Sequence, residues 1–178
     1  EVILIETVGV GQSETAVHSM VDFFLLLMLS GAGDELQGIK RGIMEMADAI
    51  SITKADGDNI QNAKNARMEY KRALHLFPPT ESGWIPKVET CSSLNKENID
   101  GVWETITKHQ AWMQERGLIA SNRRAQSRFW LHKSIEEKLR KQFYQDDRRK
   151  EALIRLEQEV MNGQLTPNQA AEQILNNK

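Results

Sequence analysis

The chain has 178 residues, 40% hydrophobic and 27% charged, with a net charge of −2 and a single cysteine. That balance suits one globular domain of ordinary size with an appendage. It excludes a disordered polymer, and one cysteine excludes an internal disulfide framework. The longest strongly apolar run, residues 23–29, is far too short to span a bilayer, and no basic leader precedes the first apolar run. The expected setting is cytoplasmic, with no membrane partner. The chain opens on Glu1 inside an apolar run without an initiator methionine, which leads us to expect a piece of a longer protein.

In chain order, residues 2–6, 23–29, 49–53 and 87–91 read as strands. Each is a continuous apolar run rather than an alternating one, the pattern of strands buried on both faces of a parallel sheet. Helical spacing lies between and after them. Leu36, Ile39, Ile43 and Met46 form one set, and Ala63, Ala66, Tyr70 and Ala73 a second. Ile99, Val102, Trp103, Ile106, Gln110 and Met113 form a third. Strand–helix alternation of this kind predicts an α/β fold, a doubly wound parallel sheet over residues 1–116. Ligands in such sheets sit outside the carboxyl ends of the strands.

Residues 117–178 show no further strand pattern. Leu131, Ile135, Leu139 and Phe143 make an i+4 ridge on a basic helix, and Leu153, Leu156 and Val160 continue on a second. Gly163 reads as a helix stop. Thr166-Pro167-Asn168-Gln169 reads as a capping box with proline at the first helical position. Ala170, Ala171, Ile174 and Leu175 give a last short helix its apolar face. An all-helical extension of about 60 residues is too small for a comfortable core of its own. It is expected to pack on the α/β part or on a second subunit. The charge split agrees with two segments: residues 1–60 carry ten acids and three bases, residues 115–150 eleven bases and five acids.

Three short runs carry chemistry. Glu6-Thr7-Val8-Gly9-Val10-Gly11-Gln12-Ser13 ends the first strand-like run. An acid there can hold Mg²⁺ through water, a glycine three residues on can offer its N–H to a γ-phosphate, and Gln12 can orient an attacking water. The alternative is a plain strand–loop–helix turn with Ser13 as helix cap. Thr53-Lys54-Ala55-Asp56 closes the third run and resembles the Asn-Lys-x-Asp motif of GTPases, with Thr in the first place. Its aspartate matches the N1–H and exocyclic amine of guanine, and the lysine stem lies along the base. Cys91-Ser92-Ser93-Leu94 ends the fourth run as a serine-rich turn, where GTPases bind the guanine oxygen through backbone N–H groups. Ordinary polar turns are the competing reading of both.

Other features resolve to bland readings. Gly33 and Gly38 have phosphate-loop spacing, but Ile39 stands where lysine must follow, so this is not a Walker A loop. The basic helix with Arg123, Arg124, Arg128, Lys133, Lys138, Arg140 and Lys141 reads as a solvated face beside an apolar ridge, so no nucleic-acid partner is expected. His18, His75, His109 and His132 lack ligand spacing, and Cys91 lacks a CxxC partner.

The ordered series of residues 3–14, then 33–43, then 53–58, is similar to the ArgK/MeaB group of G proteins over essentially the whole chain. The resemblance implies part of a P-loop GTPase domain followed by a helical dimerisation extension over residues 117–178. It implies GTP and GDP as ligands with Mg²⁺, and a homodimer. The implied role is assistance to an adenosylcobalamin-dependent methylmalonyl-CoA mutase, or a related acyl-CoA mutase, in cofactor loading and protection. By the likeness Glu6, Gly9 and Gln12 belong to the switch that senses the γ-phosphate, with Glu6 on the metal side. Thr53, Lys54 and Asp56 read the base, Ser92, Ser93 and Leu94 form the second base-binding turn, and residues 33–42 form an additional switch loop toward the mutase. The family's phosphate loop and first switch lie upstream of the residues matched, so this piece alone is expected to hydrolyse GTP very poorly. Two rival expectations stand beside this one: a non-catalytic interaction and dimerisation module, or the LAO/AO transport-type ATPase or kinase of older family names.

Overall fold

A computed structural model describes residues 1–7, 13–31 and 41–176. They form two compact units, residues 1–126 and 127–178. The first is α/β. Its three strands, β1 (Leu25–Leu29), β2 (Ala49–Thr53) and β3 (Lys87–Thr90), form a parallel sheet in the order β1-β2-β3. Leu25 lies opposite Ala49 and Leu29 opposite Thr53, while Ala49 also faces Lys87 and Ile52 faces Thr90. α1 (Ser13–His18) precedes the sheet, α2 (Arg41–Met46) joins β1 to β2, and α3 (Ile60–Leu74) joins β2 to β3. α4 (Ile99–Glu115) follows β3, and α5 (Leu118–Gln145) begins in this unit.

The central strand carries the apolar run that sequence patterning expects. Ala49, Ile50, Ser51 and Ile52 are all buried, because β2 has a neighbour on each edge and packing on its faces. Its one fully buried polar side chain is satisfied, with the Ser51 hydroxyl donating to Cys91 Sγ at 3.1 Å. α3 meets the sheet through Ala63, Ala66 and Tyr70, at i, i+3 and i+7. The two alanines let the helix backbone come close. Phe24, Met28, Met44 and Val88 complete this core. His109 is a core histidine, buried edge-on between Phe23 and Trp84 with its Nε2 3.4 Å from Asp48 Oδ1.

The expected strand at residues 2–6 is not formed. Residues 1–7 carry no strand, and Val2, Ile3 and Leu4 are exposed, Leu4 by 86%. A strand exists only where a neighbour accepts its backbone hydrogen bonds, and none of β1, β2 or β3 pairs with this segment. Apolar composition cannot supply that ladder by itself.

The outer edge of β3 is covered by side chains. Cys91 uses both its N–H and its carbonyl toward β2 and the residues just after it, bonding Ile52 O and Ala55 N, so the alternate residues Thr90 and Val88 face away. Their carbonyls accept from Asn98 Nδ2 at 2.8 Å and Arg67 Nε at 2.9 Å, which blunts an otherwise open edge.

The second unit is helical: the rest of α5, then α6 (Asp147–Met161) and α7 (Pro167–Asn176). Its core is Leu156, Ala170 and Ile174, with Phe143, Leu153, Val160 and Leu165 packed around them. The helix ends are specified locally. The Gly163 N–H bonds Val160 O and the Gln164 N–H bonds Glu159 O, with Gly163 at φ 71°, which is a Schellman stop. Thr166 Oγ1 accepts from the Gln169 N–H at 3.3 Å while Gln169 Oε1 accepts from the Thr166 N–H at 3.0 Å. That is the reciprocal capping box, with Pro167 in the first helical position. The ridge of α5 is exposed at Leu131, Ile135 and Leu139, whereas Phe143 is drawn into the small core.

Candidate functional site

Two turns leave the carboxyl ends of neighbouring parallel strands, residues 54–59 after β2 and residues 91–98 after β3. Both hold backbone under strain. Lys54 has φ 55°, Lys96 φ 57° and Asn98 φ 54°, and these are the non-glycine residues with positive φ among the described residues. Such conformations cost roughly 1–3 kcal/mol each and persist only where surrounding contacts enforce them. Their concentration at one end of one sheet marks a candidate site.

The contacts that enforce them also join the two turns. Ser92 is fully buried, and its hydroxyl donates to Asp56 Oδ2 at 2.5 Å. Ser92 Oγ in turn accepts from the Asn95 N–H at 3.1 Å, and Ser92 exchanges both backbone bonds with Glu97 at 3.0 and 2.9 Å. The Ala55 N–H reaches across to Cys91 O at 3.0 Å. The Asp56 carboxylate is thus held by a rigid serine, and its Oδ1 carries no hydrogen bond among the described residues. A half-buried carboxylate aimed this way offers acceptors to a planar ligand edge with adjacent N–H donors.

The remaining expected residues are placed as follows. Thr53 ends β2 with its hydroxyl donating to Met28 O at 3.1 Å, which ties β2 to β1 just below the turn. Lys54 is exposed at the turn itself, and Ser93 and Leu94 are exposed beside Ser92, Leu94 by 80%. Glu6 lies in the exposed segment of residues 1–7. Gly9 and Gln12 lie outside the described residues, as does most of the loop at residues 33–42. Among the described residues no three His, Cys, Asp or Glu side chains gather to hold a metal ion.

Sequence reasoning missed Asn59 and Asn98. Asn59 Nδ2 donates to Lys54 O at 2.7 Å, and Asn59 Oδ1 accepts from Ser30 Oγ at 2.7 Å. Asn98 caps β3 as described above. The available signal was the run Asp56-Gly57-Asp58-Asn59, since asparagine and aspartate bond nearby backbone in turns. Spacing does not reveal which carbonyl such a side chain will reach.

Among the described residues no helix is long and apolar enough to cross a membrane. The sequence profile described as methylmalonyl Co-A mutase-associated GTPase MeaB matches residues 1–148. The mitochondrial methylmalonic aciduria type A homolog of Mus musculus is 43% identical over 175 residues, 98% of this chain and 42% of that protein. GTPase ArgK of Escherichia coli is 47% identical over 139 residues, 78% of this chain and 42% of that protein. A solved structure titled LAO/AO transport system kinase superposes with a TM-score of 0.75 at 38% identity, covering 94% of this chain and 54% of its own. The chain therefore spans about half the length of the relatives it matches. A profile match over most of the sequence, with relatives 43% and 47% identical, places the chain in the MeaB family of GTPases.

Proposed function

We propose that this chain is the base-reading portion of a GTP-binding, GTP-hydrolysing protein that assists an adenosylcobalamin-dependent methylmalonyl-CoA mutase or a related acyl-CoA mutase. The observation that carries the reading is the Ser92–Asp56 clasp, because it holds a carboxylate at the strand ends with one oxygen still available. Guanine presents N1–H and an exocyclic amine side by side, a bidentate match that adenine cannot make. Thr53 fixes the root of the loop, the Lys54 stem lies along the base, and the turn at Ser92, Ser93 and Leu94 closes on the guanine oxygen. Glu6 and Gly9 would sense the γ-phosphate, with Glu6 on the Mg²⁺ side through water and Gln12 orienting the attacking water. When bound, Mg²⁺ neutralises charge on the phosphates.

The mutase partner is supported by the description of the matching family and by the name of the mouse relative. The exposed ridge Leu131, Ile135 and Leu139 on α5 supports a dimerisation role for the helical extension of residues 117–178. The chain spans about half the length of the relatives it matches, and hydrolysis is proposed for the protein as a whole. In the full-length protein, Asp56→Asn is expected to abolish the preference for GDP over ADP; unchanged selectivity would refute the base assignment. Titration calorimetry of the chain alone with GTP, GDP and ATP addresses the rival reading of a pure interaction module, which micromolar GDP binding would sink.

A further inference from the structure

We infer that Asn59 is a positioning residue for the base loop: one side chain ties the strained Lys54 to the end of β1 and thereby sets where Asp56 stands. The inference rests on the guanine reading above and adds to it a determinant of specificity that touches no part of the base. Lys54 holds φ 55°, a conformation a non-glycine residue keeps only under constraint. The described bond to its carbonyl comes from Asn59 Nδ2 at 2.7 Å. Chemistry fixes the orientation of that amide. A backbone carbonyl is only an acceptor, so the NH₂ must face Lys54, and Oδ1 must then face Ser30, whose hydroxyl donates at 2.7 Å.

Topology gives the bridge its meaning. Ser30 directly follows β1 and Lys54 directly follows β2, and the last paired residues of these strands, Leu29 and Thr53, lie opposite each other. Asn59 therefore spans two strand ends. Its own backbone N–H also bonds Asp56 O at 3.0 Å, so backbone and side chain of one residue close on both sides of the loop. Ser92 orients the Asp56 carboxylate from the β3 side. Asn59 sets the height of the loop from the β1 side. Without it Lys54 is free to relax toward ordinary backbone, and the carboxylate shifts relative to a base held by its phosphates.

The test compares GDP with inosine diphosphate, which keeps N1–H but lacks the exocyclic amine, using titration calorimetry on the full-length protein. A carboxylate placed correctly gains from both donors, so the affinity ratio reports its position. A change in folded fraction affects both ligands equally and cancels from that ratio. Asn59→Ala is expected to lower the GDP-over-inosine-diphosphate preference about tenfold, the scale of one charge-assisted hydrogen bond lost. Asn59→Asp is expected to lower it further, because it sets a carboxylate oxygen against the Lys54 carbonyl. Ser30→Ala, which removes only the tie to β1, is expected to produce a smaller fall in the same direction. A ratio that stays at the wild-type value in Asn59→Ala and Asn59→Asp overturns the inference, and so does an equal weakening of both nucleotides. A wild-type protein with no guanine preference overturns the reading of Asp56 first, and this inference with it.

Discussion

Asp22 and Arg123 show what a single pair contributes at the surface of the first unit. Arg123 Nε and Nη2 both donate to the Asp22 carboxylate, at 3.0 and 2.6 Å. These hydrogen bonds hold the Asp22 carboxyl below its ordinary value of 3.8 against the opposing effect of burial, with the guanidinium charge adding a smaller pull in the same direction. A depressed carboxyl contributes stability that is present above 3.8 and is lost as pH falls through the lower folded value. Wild type is therefore expected to lose more stability than Asp22→Asn on acidification below about pH 4, checked by acid titration of circular dichroism. The difference is small, since both side chains are more than half exposed and salt screens the pair. Ser92 is the opposite case. Ser92→Ala removes a fully buried hydroxyl that bonds the Asn95 N–H and one Asp56 oxygen, and is expected to cost about 1–3 kcal/mol in urea unfolding. GDP affinity should fall with it. Motif spacing singled out Asp56 and Ser92, and the structure brings the two side chains into hydrogen-bond contact. Asn59 and Asn98 were not singled out, because their role lies in which carbonyl they reach.

At the scale of elements, local sequence specified ends and periods well. The Schellman stop at Gly163 and the capping box at Thr166 and Gln169 form where their residue patterns place them, since their hydrogen bonds span only three to five residues. α3 follows its apolar spacing for the same reason, whereas β2 forms because its apolar run finds a neighbouring strand on each edge. The start of α4 depends on a contact spacing does not announce. Asn98 folds its side chain over Gly101, where an added Cβ would stand 2.9 Å from Asn98 Cγ and closer still to its Oδ1. Asn98 cannot step aside freely, being bound to Thr90 O at the edge of β3. Gly101→Ala is expected to destabilise the first unit by about 1–3 kcal/mol through this overpacking, measured as a lower urea midpoint at unchanged slope. If Asn98 supplies the resistance, the double variant with Asn98→Ala should show less than the sum of the two single losses. The failed expectation of a strand at residues 2–6 belongs here too. Five apolar or acidic residues define a face, but pairing is decided by a neighbour far away in sequence.

For the whole molecule, two cores built from separate residues underlie the two units. In the second, Leu156 is the largest fully buried side chain and Ala170 and Ile174 pack on it. Leu156→Ala is expected to remove about 2–5 kcal/mol from α6 and α7, because so small a core has little material to fill the cavity. Hydrogen exchange of the α7 amides checks this: protection should fall by orders of magnitude, and unchanged protection would refute the packing. By itself the sequence determined the α/β character of the first part, the helical character of the second, the helix stops and caps, and the polar turns that follow β2 and β3. Each of these is set by periodicity or by chemistry within a few residues. Only the tertiary structure decided which apolar runs become strands, how a buried serine clasps an aspartate 36 residues away, and which asparagine holds the left-handed backbone between two strand ends. Those depend on partners brought together by the sheet, and hydrogen-bond geometry between distant segments leaves no periodic trace in the chain.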